Sequence, residues 1–338
     1  MTPASTAHDR LLACLAWGIC LGLGLLLFRL SHLPEIGYYH LNDDQMITMR
    51  VAFMIATEGV PYYNLDEEVA ANTSLFWPYV LSLLFVAGLD IESAVAVLFA
   101  LSTAAYCALC VFVAWQVRGW ATRSGILVFL VLGGSAFNYA GSGWEHVPQT
   151  IFATIGLVAL IRGPSTRNWL IAFYAVAAAF LMRPDVAVVI AYLFLAATVV
   201  LGSRDRMRFI GLSLPALVFP AAYVAGMLLA YGDVVPNTWY LKRPEGGDTL
   251  MNGAAYLIDP RQSGLVPALS LICLACWARL HTGERIVLGA VAVHMAYVVW
   301  IGGDFFRAGR FFLFLFPAVT LIVARQAVVL GRDKLLLA

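Results

Sequence analysis

Apolar segments of near-membrane-spanning length recur along almost the whole chain, at 11–28, 93–117, 124–141, 147–161, 168–182, 186–201, 209–231, 264–280, 286–301 and 311–330. An α-helix rises about 1.5 Å per residue, so roughly 20 apolar residues cover a hydrocarbon core of about 30 Å. In lipid, only a helix or a closed barrel satisfies its own backbone. Only 12% of the residues are charged, against about 25% in a soluble domain. A soluble enzyme built around one large core does not fit this pattern. The expectation is an all-α polytopic membrane protein, a single transmembrane domain over 1–338 with no separate soluble domain. The first run imitates a signal peptide, but no small-residue cleavage site follows it before Arg29, so it reads as a retained helix.

Loop charge orients these segments. With the N-terminus in the cytoplasm and 74–89 treated as a re-entrant or interfacial piece, the cytoplasmic loops hold thirteen basic residues against four acids. The opposite side then holds eight basic residues against sixteen acids. A full crossing by 74–89 would turn the basic loops outward. Charge therefore favours ten crossings, and eleven only if 74–89 spans as well. The first outer loop, 29–92, is long, and an amphipathic juxtamembrane helix is expected near 43–57, with Ile47, Val51, Met54 and Ile55 on one side.

Six cysteines include two Cys-x-x-Cys pairs, Cys107/Cys110 and Cys273/Cys276. All six lie among apolar neighbours with no flanking histidine, which fits small residues at helix contacts better than metal or redox work. His294, inside a span, reads as an interhelical hydrogen-bonding group, and His40 and His146 read as outer-loop histidines.

The unusual polar clusters fall on the outer side. They are the acid pair of "YYHLNDDQMITMR", then "GSGWEH" (141–146), "MRPD" (182–185), "YGDVVPNTWYLKRPEGGD" (231–248) and "GGDFFRAGR" (302–310). Charge at a membrane boundary is costly unless paired or functional. Five clusters at one boundary point to an active site there.

At these residues the chain resembles GT-C glycosyltransferases, and within them the bacterial branch that includes the mycobacterial terminal arabinofuranosyltransferases. In "DDQMITMRVAFMIATEGVPYYNLDEEVAANTSLFW", the residues Asp43, Asp44, Ile47, Arg50, Ala52, Glu58, Gly59, Asn64, Glu67, Val69, Thr73 and Trp77 fall on the pattern of that branch. Ala71, Asn72 and Ser74 depart from it. "SGWE", "MRPD", "YGDVVPNTWYLK" and "GGDFFRAGRFFLFLFP" resemble its later motifs in order, over roughly residues 40 to 317. The resemblance implies a GT-C-type helical bundle of about 10–11 transmembrane helices in the bacterial inner membrane. Its active site would face the periplasm and take a sugar from a polyprenyl phosphate. Arabinofuranose or another pentose is the sugar implied, and a cell-envelope glycan, a lipid or a protein such as a pilin is the acceptor.

A phosphate-linked sugar already carries a good leaving group, so the acceptor hydroxyl is what needs activation. A carboxylate in hydrogen-bond reach can accept its proton, and two adjacent carboxylates raise one another's proton affinity. The resemblance points to Asp43 as the base. Asp44 would orient it, bind sugar, or help hold Mg²⁺ or Ca²⁺, which take oxygen ligands. Arg183 and Arg310 are the candidate grips for the donor phosphate, with Lys242 and Arg243 adding to the field. Glu145, Asp185, Asp304, Trp77 and Asn237 are candidate sugar or acceptor contacts, and Asp185 and Asp304 are expected to pair with the arginines. Pro184 should make the helix break sharp by withholding a backbone donor. A transporter or flippase of lipid-linked sugars is the competing class, but it calls for mid-membrane charge and related halves, and neither is visible. Nothing suggests nucleic acid binding.

Overall fold

A computed structural model describes residues 24, 43–133, 139, 142–237, 240, 248–304, 306 and 309–337, leaving aside the side chains of Asp43, Leu132 and 331–337. The regular elements of the described residues are helical, and no β-strand occurs among them. In order they are α1 (Asp43–Glu58), α2 (Trp77–Val86), α3 (Ile91–Ala114), α4 (Trp120–Leu132), α5 (His146–Arg162), α6 (Thr166–Met182) and α7 (Ala187–Val200). Then follow α8 (Ser203–Ser213), α9 (Val218–Tyr231), α10 (Thr249–Ile258), α11 (Pro260–Ser263), α12 (Val266–Ala275), α13 (Thr282–Ile301) and α14 (Phe316–Leu337). Three stretches are long and apolar enough to cross a bilayer: Ile91–Ala114, Ser203–Tyr231 and Thr282–Ile301. The chain is an all-α membrane protein, as the apolar runs required.

Local chemistry sets the helix ends. The Asp90 carboxylate accepts from Ser93 N at 2.8 Å and caps α3, and Ser165 Oγ caps α6 by accepting from Asn168 N. Such caps satisfy backbone donors that no helical carbonyl can reach. Ser74 Oγ accepts from Trp77 N at the start of α2. That helix has only 10 residues, about 15 Å of rise, half the hydrocarbon thickness. It is one of the shorter apolar helices, as is the 10-residue α12 inside the expected span 264–280.

The core has two parts. The larger gathers α3–α10 and α12–α14 around buried side chains such as Trp169, Phe173, Phe209, Phe312 and Phe314. Helices α5 and α6 lie close because Gly156 faces Ala172, where a β-carbon would meet backbone. The smaller part joins α1, α2 and the first half of α3 through Met49, Ala52, Leu81, Ala94, Val95, Leu98 and Phe99. The first loop is fastened to the end of α9 by tyrosines: Tyr231 Oη donates to Pro61 O at 2.7 Å and Tyr62 Oη donates to Ala230 O.

Some sequence expectations shift. Helix α1 buries Val51 and Met54 as expected, but Ile47 and Ile55 only partly; Met49 and the small Ala52 turn inward instead, because α2 packs on that side. Helix α10 corresponds to none of the expected spans. The span expected at 209–231 starts earlier, at Ser203. His146 is no loop histidine: it opens α5 and is fully buried, tilted against Trp144 with ring centroids 4.9 Å apart. His294 does bridge helices, through a 2.9 Å hydrogen bond between Nε2 and Phe311 O. Cys107, Cys110 and Cys273 are buried free thiols, and Cys276 is a half-buried one. The expected span 11–28 and His40 lie outside the described residues, Gly24 excepted.

Candidate active site

The break after α6 positions the first cation. Arg183 leaves the helix in an extended conformation, and Pro184 starts a short 3-10 turn, Pro184–Val186. The proline has no N–H, so the chain turns there rather than continuing the helix. Arg183 is 4% exposed. Its Nε donates to Asp185 Oδ2 at 3.0 Å and its Nη1 to Glu145 Oε1 at 2.9 Å. Gln149 Nε2 donates to the other Asp185 oxygen at 2.5 Å. Two helix ends, α5 and α6, are thereby tied through one guanidinium.

The second cation stands on the turn between α13 and α14. Gly302 and Gly303 take positive φ, 91° and 79°, which carries the chain off α13 in a conformation that side chains disfavour. Arg310 starts the 3-10 turn Arg310–Phe312 and is also 4% exposed. Its Nε and Nη2 both donate to Asp304 Oδ2, at 2.8 and 2.7 Å, and its Nη1 donates to Asp44 Oδ2 at 2.7 Å. Phe306 lies against the guanidinium, 4.2 Å from ring centroid to Cζ, and Trp144 lies at 5.2 Å.

Both cations face the same space. Arg183, Asp185, Asp304 and Arg310 line one cavity of about 920 Å³, with Phe311 in the same wall. The Phe311 centroid is 5.8 Å from Arg183 Cζ and 6.0 Å from Arg310 Cζ. Pocket volumes of about 300–1,000 Å³ are usual for small-molecule sites. The cavity also has apolar lining residues, Val234, Val235, Pro236, Leu250, Trp300 and Ile301. Charged and apolar lining in one space suits an amphiphile with an anionic head.

Of the residues singled out in the sequence, Asp44, Glu145, Arg183, Asp185, Asp304 and Arg310 join this network. Trp77 does not line the cavity; its Nε1 donates to Gly143 O at 3.2 Å and its ring packs on the smaller core. Asn237 is exposed, and its contribution is a backbone hydrogen bond to Ala70 O. The side chain of Asp43, and all of Lys242 and Arg243, lie outside the described residues. Sequence reasoning missed Gln149, Asn252, Tyr256, Gln262 and Tyr297. Two spacings offered a signal: Gln149 stands four residues after Glu145, and Tyr256 four after Asn252, so each pair shares a helix face. Next to Val234, Asp233 is held below the usual carboxylate range by the Val235 N–H and the Tyr240 hydroxyl.

Among the described residues, no group of three or more histidine, cysteine, aspartate or glutamate side chains is placed to hold a metal ion. Asp44 directs one oxygen to Arg310.

Comparison with known proteins gives one distant likeness. The chain is 27% identical over 336 residues to a terminal β-(1→2)-arabinofuranosyltransferase of Corynebacterium glutamicum, covering 84% of this chain and 47% of that protein. The chain thus spans about half the length of the curated relative it matches. That relationship connects it to a glycosyltransferase at a coarse level. No family model matches the sequence, and no solved structure matches it.

Proposed function

We propose that this protein is a GT-C-type glycosyltransferase of the bacterial inner membrane. It moves a sugar, arabinofuranose or another pentose, from a polyprenyl phosphate to an acceptor hydroxyl on the periplasmic side. The observation that carries this reading is the single cavity lined by Arg183, Asp185, Asp304 and Arg310. The distant likeness to an arabinofuranosyltransferase supports the choice of chemistry and sugar.

In this mechanism the arginines hold the phosphate through paired charge-assisted hydrogen bonds. The apolar lining of the cavity receives the first isoprene units. The acceptor oxygen attacks the anomeric carbon, and the bond from that carbon to the phosphate oxygen breaks. The acceptor proton passes to a carboxylate of the first loop, Asp43, and polyprenyl phosphate leaves as the anion. Positive charge at the leaving oxygens stabilises the charge that develops there. Glu145 and Asp185 hold Arg183 in place, and Asp304 does the same for Arg310. Lys242 and Arg243 add positive charge for the donor phosphate, and Asn237 is assigned to the acceptor, a glycan, lipid or protein. A divalent cation at Asp43 and Asp44 is a separate proposal. Activity lost in EDTA and restored by Mg²⁺ or Ca²⁺ supports it; full activity in EDTA rejects it.

The test is transfer by purified protein supplied with polyprenyl-phosphate arabinofuranose and an envelope glycan acceptor. Asp43→Asn should abolish transfer while leaving a folded, detergent-stable protein. Transfer by wild type that survives unchanged in Asp43→Asn rejects the base assignment. Donor movement across a vesicle bilayer without transfer favours the flippase class instead.

A further inference from the structure

The cavity lining includes an uncharged hydrogen-bonding group, Gln262, on backbone bonded to the Arg310 turn. Gln262 lies in α11, and its carbonyl oxygen accepts from Gly309 N at 2.6 Å, one residue before Arg310. The two segments meet closely because Gly309 takes a φ of 71° and has no β-carbon, which would strike the Ser263 carbonyl oxygen. The short helix is braced from within. Asp259 Oδ1 accepts from Arg261 N at 2.9 Å, and Ser263 Oγ donates to Asp259 O at 3.1 Å. Gln262 and Arg310 are thus held in register with one another, and both line the cavity.

Gln262 is half-buried, and its side-chain amide has no hydrogen-bond partner among the described residues. The acids of the lining differ, since Asp185 pairs with Arg183 and Asp304 with Arg310. A primary amide offers two donors and an acceptor without charge. Beside an arginine that receives phosphate, a further carboxylate would repel the ligand, and an ammonium would bind the same phosphate oxygens. An amide does neither. It matches a hydroxyl, which also donates and accepts. A sugar linked to phosphate through its anomeric carbon carries a hydroxyl on the next carbon, and that is the sugar hydroxyl nearest the phosphate.

We infer that Gln262 is a specificity-determining residue that reads the donor sugar, its side-chain amide hydrogen-bonding the hydroxyl next to the anomeric carbon. This rests on the donor reading above and divides the donor among the lining residues. The arginines take the phosphate and the apolar residues take the isoprene units, which every polyprenyl-phosphate sugar shares. Gln262 takes the part that differs from one such donor to another. A donor without that hydroxyl leaves a half-buried amide unpaired, which weakens binding without disturbing the phosphate contacts.

The experiment measures binding of four ligands to the full chain in detergent: farnesylphosphoryl arabinofuranose, its 2-deoxy analogue, methyl farnesyl phosphate and farnesol. The first three are phosphodiesters of equal charge, so the phosphate contributes alike to each. Wild type should bind the arabinofuranosyl ligand about five- to tenfold more tightly than the 2-deoxy analogue, the scale of one neutral hydrogen bond. Gln262→Ala should bind those two ligands alike and hold methyl farnesyl phosphate as tightly as wild type does. A variant that keeps the wild-type preference overturns the inference. So does a variant that loses affinity equally for all three phosphodiesters, since that marks a structural role. Gln262→Met keeps the length without the amide and carries the same test should the alanine variant unfold. Wild type that binds methyl farnesyl phosphate no better than farnesol overturns the donor reading itself.

Discussion

Helix α13 has buried charge at both ends, and the two ends differ in what surrounds it. At the first end Glu284 is fully buried; its Oε2 accepts from His281 N at 3.0 Å and from Gln326 Nε2 at 3.1 Å, and its Oε1 lies 3.2 Å from Arg325 Nε. Arg325 Nη1 also donates to Ile161 O, and Gly283 packs directly on the backbone at Leu160. That cluster caps its own helix and clamps α5, α13 and α14. At the far end, the Asp304 and Arg310 side chains, 3% and 4% exposed, open onto the 920 Å³ cavity. Buried ion pairs seldom add stability over apolar packing of the same shape. Charge at the Glu284 end is explained by capping, whereas charge at the cavity end is paired and also faces the space proposed above for the donor.

Substitutions can break that contrast, and the largest expected effect is at the acid pair. Asp43→Asn should lower kcat by about 10²–10⁴-fold, the usual scale for a general base, with an unchanged unfolding midpoint. Loss of a donor grip comes next. Arg183→Lys keeps the charge but not the planar fork, and kcat/KM should fall by about 10–100-fold, roughly 1.4–2.8 kcal/mol. Arg325→Lys makes the same chemical change at the other end and should leave kcat/KM within about twofold, because only a partly exposed pair is altered. An equal loss in the two lysine variants would dissolve the distinction between the ends.

Stability should report the reverse order. Glu284→Ala leaves Arg325 and Gln326 without their shared acceptor and removes a helix cap. A loss of about 1–3 kcal/mol is expected, the scale for leaving buried hydrogen-bonding groups without their acceptor, while kcat per folded molecule stays near wild type. The smallest effect concerns pH. The folded Asp233 carboxylate titrates below its unfolded value, so its contribution is fully present above the unfolded carboxylate range near 3.8. It is lost as pH falls through the folded pKa. Asp233→Asn should remove that dependence, read as acid-induced exchange at Val234 and Val235, without touching transfer at neutral pH.

The helical membrane class was legible from apolar run length, and so were α3, α5–α7 and α13 within a few residues. Pairing of Asp185 with Arg183, and of Asp304 with Arg310, followed from the cost of lone charge at a membrane boundary. The contact between Asp44 and Arg310 could not be read, because nothing local links positions 266 residues apart. Helix α10 was hidden for a different reason: 249–258 is too short for a span and follows a glycine-rich polar stretch. Trp77 shows the opposite failure. It falls on a family pattern, yet its indole serves the small core and the Gly143 carbonyl, so a matching position marked packing rather than a cavity contact. Burial of His146 was likewise concealed, since its neighbours Glu145 and Trp144 look like loop residues until Arg183 and Arg310 draw them inward.

The most direct measurement is a structure of the full chain with a polyprenyl phosphate bound. Donor binding at the arginines places the phosphate within hydrogen-bond reach of Arg183 and Arg310 (about 2.7–2.9 Å from nitrogen to oxygen), with the lipid tail along Leu250 and Trp300. A phosphate seated elsewhere, with the Arg183–Glu145 and Arg310–Asp44 pairs intact and the cavity empty of lipid, would contradict it.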